Sequence, residues 1–167
     1  VNVDLHADLR PREGRHSGNA FSYAKADGHL GRYAIVGLSE AYATQAITEA
    51  IDEEEDYSAF TLESLLRGRT TIARMAEAAA AHVGGGPATL ELDIDAVAQA
   101  PASAAAASGF SAAEFRALAC QLCGAMQVHA AHIAEGAPGL GPWPDEMVGK
   151  LVAELARDIA AGVAHTG

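Results

Sequence analysis

Two short stretches of this chain carry side chains whose types and spacing suit metal chemistry. Asp4-Leu5-His6-Ala7-Asp8 follows directly on an apolar run, and alternation in an extended segment sends Asp4, His6 and Asp8 to one side. Leu92-Asp93-Ile94-Asp95 ends another apolar run, and the same period of two puts Asp93 and Asp95 on a common face. Carboxylates at the end of an apolar strand are costly to bury unless something neutralises them. A cation does so. The charges match two divalent ions: Asp4, Asp8, Asp93 and Asp95 supply four negative charges, and His6 binds as neutral imidazole. Hard carboxylate oxygens, little nitrogen and no sulfur lean toward manganese over zinc, although affinity order alone favours zinc. The plainer alternative is a polar loop at residues 4–8 and a helix cap at Asp93 and Asp95.

These groups need a frame, and the order of apolar and helix-period runs supplies one. Residues 1–5, 32–38, 88–94 and 127–134 read as strands, and residues 20–27, 40–52, 62–82, 111–125 and 144–162 as helices. Helix starts are marked by Ser39 before Glu40, by Ser111 with Glu114 in capping-box spacing, and by Pro144-Asp145-Glu146. Strands alternating with helices predict a mainly parallel sheet covered on both faces, an α/β three-layer α-β-α sandwich. Ligands of such sheets bind beyond the carboxyl ends of the strands, where both acidic stretches fall.

The length of 167 residues predicts a single domain over 1–167. With 22 acidic against 11 basic side chains and a formal charge of -11, the chain is not expected to bind nucleic acid, which requires basic groups to displace phosphate counterions. No apolar run approaches the roughly 20 residues of a membrane span, and no secretory signal opens the sequence, so no membrane partner and a cytoplasmic location are expected. Cys120 and Cys123 form a C-x-x-C late in the 111–125 helix, away from the helix N-terminus that lowers thiol pKa, and no second pair completes a zinc site. They are expected to be buried, reduced thiols. Asp52 to Asp56 reads as a solvated helix end, and Gly84-Gly85-Gly86-Pro87, lacking a phosphate-loop lysine, as a helix stop. His129 and His132 fall on opposite faces of the 127–134 strand and so do not form a ligand pair.

Residues 1–19, VNVDLHADLRPREGRHSGN, resemble the Asp-x-His-x-Asp segment and substrate loop of the ureohydrolase superfamily (arginase, agmatinase, formimidoylglutamase). Residues 91–109, ELDIDAVAQAPASAAAASG, resemble its second signature, two aspartates one residue apart followed by an Ala-Pro turn. The resemblance implies an arginase-like fold and a hydrolase that uses two Mn2+ ions per complete site to turn water against the C–N bond of an amidine or guanidine. By position, it makes Asp4 and Asp93 the carboxylates that bridge both ions, Asp8 a ligand of one, and His6 and Asp95 ligands of the other. It gives Asp8 the catalytic role of relaying a proton to the departing amine, and Glu135, in His132-Ile133-Ala134-Glu135, that of facing the cationic head. Gly136-Ala137-Pro138 departs from the family's usual Val-Asn-Pro at this point.

Arg10, Arg12, Arg15 and His16 concentrate positive potential beside the acidic stretch and lead into Ser17-Gly18-Asn19, which resembles the family loop that grips a substrate carboxylate. Arg10, Arg15, His16, Ser17 and Asn19 are the expected substrate contacts, and arginine forks suit a small anionic, amino-acid-like substrate. Phe21 stands where arginases have a histidine. The segment is most similar to the formimidoylglutamase branch, which implies hydrolysis of N-formimino-L-glutamate to formamide and glutamate in histidine degradation. The alternatives are an arginase or agmatinase activity, or a non-catalytic homologue acting as an assembly module. The family's remaining histidine ligand lies in an upstream Gly-Gly-(Asp/Asn)-His-Ser segment that this sequence does not contain. The chain is therefore expected to be an N-terminally truncated, C-terminal portion of the family fold, with a homo-oligomer or a partner covering an open sheet edge.

Overall fold

The computed structural model describes residues 1–166. Its strands, β1 (Asn2–Val3), β2 (Tyr33–Leu38), β3 (Tyr57–Thr61), β4 (Pro87–Asp93) and β5 (Gln127–Ala134), form one parallel sheet in the order β3-β2-β1-β4-β5. The helices are α1 (Ala20–Ala26), α2 (Gln45–Asp52), α3 (Leu62–Leu66), α4 (Ile72–Val83), α5 (Ala112–Ala125) and α6 (Asp145–Thr166). Among the described residues no helix is long and apolar enough to cross a membrane.

The strand period of two sorts the layers. Along β2, Ala34 and Val36 enter the larger core with Val3, Leu90 and Leu92, covered by Met75 and Ala79 of α4, Leu118 and Leu122 of α5, and Leu155 of α6. Tyr33 and Ile35 point the other way, into a smaller cluster with Phe21 of α1 and Ile47 and Ile51 of α2. The result is the expected α/β three-layer sandwich, with β1 at its centre and the two acidic stretches at the carboxyl ends of β1 and β4.

Several boundaries differ from expectation, each for a local reason. The unanticipated strand β3 lies at the sheet edge, and all five of its residues are half-buried, so it shows neither an apolar run nor clean alternation. The 62–82 helix is two helices, because Gly68 adopts φ +66° and Thr71 accepts a hydrogen bond from Arg74 N to start α4 afresh. The 40–52 helix begins only at Gln45, capped by Thr44, since the Ser39 hydroxyl donates to Glu63 Oε1 and residues 40–43 form a turn. The 1–5 strand pairs only over Asn2–Val3 before the chain bends at Asp4.

At α5, Ser111 Oγ accepts from Glu114 N at 3.2 Å while Glu114 Oε2 accepts from Ser111 N at 2.8 Å, the expected capping box. Ser111→Ala should cost about 1 kcal/mol and lower the melting temperature by roughly 2–4 °C, read by calorimetry. Further along α5, Cys123 is buried and its thiol is pushed up to about 11 by that burial, whereas Cys120 is exposed, contrary to the expectation of two buried thiols. α6 approaches Cys123 so closely that a Cβ at Gly162 would lie 2.5 Å from Cys123 Cβ.

Candidate metal centre

Asp4 continues the line of β1, its N–H donating to Val36 O at 3.0 Å. Its side chain is 1% exposed and fully engaged. Oδ2 accepts from Asn2 Nδ2, and Oδ1 accepts from His6 N at 2.8 Å. Asn2 Nδ2 also donates to Tyr33 Oη, which donates to Ala7 O, so a buried polar network underlies the bend. The bend brings His6 Nδ1 to 3.2 Å from both Asp4 Oδ1 and Asp95 Oδ2. One ligand atom from each of Asp4, His6 and Asp95 lies within 4.8 Å of the others.

Strand alternation did not produce this convergence. Asp95 sits in a single 3₁₀ turn (Ile94–Ala96), and Asp93 Oδ1 accepts from Asp95 N at 2.8 Å to start that turn. Asp93 therefore caps a helical turn and also closes β4 beside the cavity, so the cap alternative and the site reading apply to the same residue. Asp8 takes φ +53°, which breaks the extended geometry and leaves it outside the tightest group, though it still lines the cavity.

The electrostatics report an excess of buried negative charge. Burial, followed by Asp4, pushes Asp8 up to about 7. Burial, followed by Asp4 and Asp95, pushes Asp93 up to about 9. Asp95 is raised by burial against the opposing hydrogen bond from His6. His6 is raised to about 10, first by its hydrogen bond to Asp4 and then by that to Asp95. Asp95 Oδ1 is buried with no hydrogen-bond partner, and an unpartnered carboxylate oxygen in low dielectric is expensive. Carboxylate-rich donors with one imidazole, an orphaned oxygen and uncompensated negative charge all fit divalent cations.

The cavity over this cluster encloses about 600 Å³. His6, Asp8, Asp93, Asp95 and Glu135 line it, with Arg10, Arg12, His16 and Ser17 on one side. Glu135, at φ +60°, is held by Ser103, whose Oγ donates to Oε2 at 2.6 Å. Two expected substrate contacts are elsewhere. Asn19 is fully buried and spends its amide on Pro11 O, Gly14 O and His16 N, closing the 11–19 loop, so it shapes the cavity wall without lining it. Arg15 points outward over the Tyr23 ring and pairs with Asp27 at 3.5 Å. Tyr42 and Ser103 line the cavity without having been anticipated. Tyr42 follows β2, and the rule that ligands gather at the carboxyl ends of strands was the signal that could have found it.

The chain matches the Arginase family model over residues 1–162. No curated protein matches its sequence. Among solved structures, it is similar to a hypothetical agmatinase from Burkholderia thailandensis at 22% identity and TM-score 0.77, covering 99% of this chain and 50% of that one. Proclavaminate amidino hydrolase from Streptomyces clavuligerus aligns at 19% identity and TM-score 0.84, covering 99% of this chain and 56% of that one. The formiminoglutamase of Trypanosoma cruzi with Mn2+ aligns at 20% identity and TM-score 0.78, covering 98% and 55%. The chain thus spans about half the length of these structures, at 50%, 56% and 55%. With the family model covering nearly the whole chain and the fold shared across these hydrolases, this chain belongs to the Arginase family.

Proposed function

We propose that this chain carries the metal-binding and substrate-binding part of a manganese-dependent hydrolase that cleaves the C–N bond of N-formimino-L-glutamate, releasing formamide and glutamate. The observation that carries the reading is the convergence of Asp4, His6 and Asp95, with the unpartnered Asp95 Oδ1, beneath a cavity walled on one side by Arg10, Arg12 and His16. Asp4, His6, Asp8, Asp93 and Asp95 would hold two Mn2+ ions, and the Mn2+ in the Trypanosoma cruzi formiminoglutamase supports that choice of metal. Bound there, such ions supply water activation near neutral pH.

The chain's own side chains supply the rest. Arg10 binds a substrate carboxylate through its fork, with His16 and Ser17 contributing further donors. Glu135, one oxygen already occupied by Ser103, accepts from the amidinium N–H groups through the other. The Asp8 carboxylate takes a proton and passes it to the departing amine.

The test is hydrolysis by the chain in its natural polypeptide, with Mn2+, against N-formimino-L-glutamate, arginine and agmatine in parallel. Formamide from the first is expected, and Asp8→Asn should lower kcat by about 100-fold or more, the usual contribution of general acid–base catalysis. Urea from arginine or agmatine would move the activity to another branch. Manganese binding with no turnover of any of the three would leave a non-catalytic module.

A further inference from the structure

A metal-ligating imidazole is ordinarily oriented through its second ring nitrogen, which donates to a carboxylate or carbonyl behind it. His6 lacks that device. Its Nδ1 faces Asp4 and Asp95, and among the described residues no hydrogen bond reaches its Nε2. Against the ring lies Tyr42, with centroids 5.0 Å apart and planes within 15°. We propose that Tyr42 is a positioning residue that fixes the plane of the His6 ring by stacking, in place of the missing hydrogen bond. The inference rests on the reading of His6 as a metal ligand.

The two constraints divide the work. The carboxylates of Asp4 and Asp95 select which edge of the imidazole faces them, and the stacked ring excludes the rotations in between. A half-turned imidazole would direct Nδ1 away from the point where the Asp4 and Asp95 oxygens meet.

Tyr42 is 45% exposed, so its value as a wall depends on its backbone. That backbone is tied to the strand pair that carries His6. Ser39 N donates to Leu5 O at 2.9 Å, one residue before His6, and Tyr42 N and Ala43 N both donate to Ser39 O at 3.0 Å. Ser39 Oγ and Glu40 N bind the two carboxylate oxygens of Glu63 in α3. Arg67 grips the Glu40 carboxylate through both of its terminal nitrogens. The turn is thus held from β1 and from α3, and the ring it presents is an anchored surface.

The test measures Mn2+ affinity by titration calorimetry for the wild type, Tyr42→Phe, Tyr42→Leu and Tyr42→Ala, alongside imidazole 15N resonances of His6 in the metal-free state. Tyr42→Ala and Tyr42→Leu should weaken binding by about 10-fold, as loss of an orienting partner does, and should broaden or average the His6 ring signals. Tyr42→Phe, which keeps the flat face, should match the wild type in both. Equal binding and unchanged ring signals in Tyr42→Leu or Tyr42→Ala would overturn the role of Tyr42 while leaving the metal centre standing. Weakened binding in Tyr42→Phe would overturn it too, since the hydroxyl and not the face would then matter. A wild type that binds no Mn2+ would instead defeat the metal-centre reading, and this inference with it.

Discussion

In its metal-free form the chain is expected to lose stability as pH rises and to regain it on addition of Mn2+; Asp93→Asn should weaken the pH response and abolish the recovery with Mn2+. The direction follows from the shifts. Asp93 moves from 3.8 to about 9 and Asp8 from 3.8 to about 7 on folding. Between each pair of values the folded state binds the proton that the unfolded state has released, so stability falls as pH rises. His6, raised from 6.5 to about 10, has the same sign: its contribution is complete below the unfolded value and is lost as pH climbs through the folded one. Asp8 acts between 3.8 and about 7, Asp93 between 3.8 and about 9, and His6 between 6.5 and about 10, so the three overlap only near neutrality and in succession carry the decline from acidic to alkaline pH. Asp93→Asn keeps the shape and removes one charge from the crowded group. At about pH 8 it should stabilise the metal-free chain by on the order of 2 kcal/mol, roughly 4–8 °C in melting temperature. Because it also deletes a ligand, Mn2+ should no longer raise its melting temperature. A wild-type metal-free melting temperature that stays flat or rises between about pH 5 and about pH 9 would contradict the charge imbalance.

The same imbalance explains why the acidic cluster was legible in the sequence. Acidic side chains at the ends of apolar strands are rare unless neutralised, and Asp4, His6 and Asp95 stand where that logic puts them. The detailed geometry was not legible. Period-two alternation predicts neither the left-handed backbone of Asp8 nor the 3₁₀ turn that delivers Asp95, because both arise after the strand has ended. Loop side chains were the least readable. Whether Asn19 faces a ligand or its own backbone depends on carbonyls at Pro11 and Gly14 that no spacing rule places. Ser103 and Glu135 are 32 residues apart, and a hydrogen bond from Ala137 N to Pro101 O helps to join the two loops that carry them. For the fold, β2 was plain because all six residues are buried, and β3 was hidden because a half-buried edge strand leaves no pattern.

Gly37→Ala should be strongly damaging although it lies outside the cluster, costing about 3 kcal/mol and lowering the melting temperature by roughly 6–12 °C. Gly37 sits at φ +100°, at the register shift between Val36 and Leu38, a conformation that strains any L side chain. Space is also lacking: its Cβ would lie 2.6 Å from Phe110 Cε2 and 3.3 Å from Asp4 O. Phe110 is fully buried and cannot swing aside. Its N–H donates to Ala96 O and its carbonyl accepts from Ala98 N, so it anchors the loop that follows Asp95. Pressure at Gly37 therefore pushes on the two strand ends that must meet for Asp4 and Asp95 to face His6, and Mn2+ affinity should fall along with stability. Gly68→Ala provides the control, since Gly68 has φ +66° but nothing within 4 Å of its Cβ position. It should show only the backbone strain, about 1 kcal/mol, with Mn2+ affinity intact. If Gly37→Ala melts like Gly68→Ala and binds Mn2+ like the wild type, the close contact among Gly37, Phe110 and Asp4 does not hold the two strand ends in register.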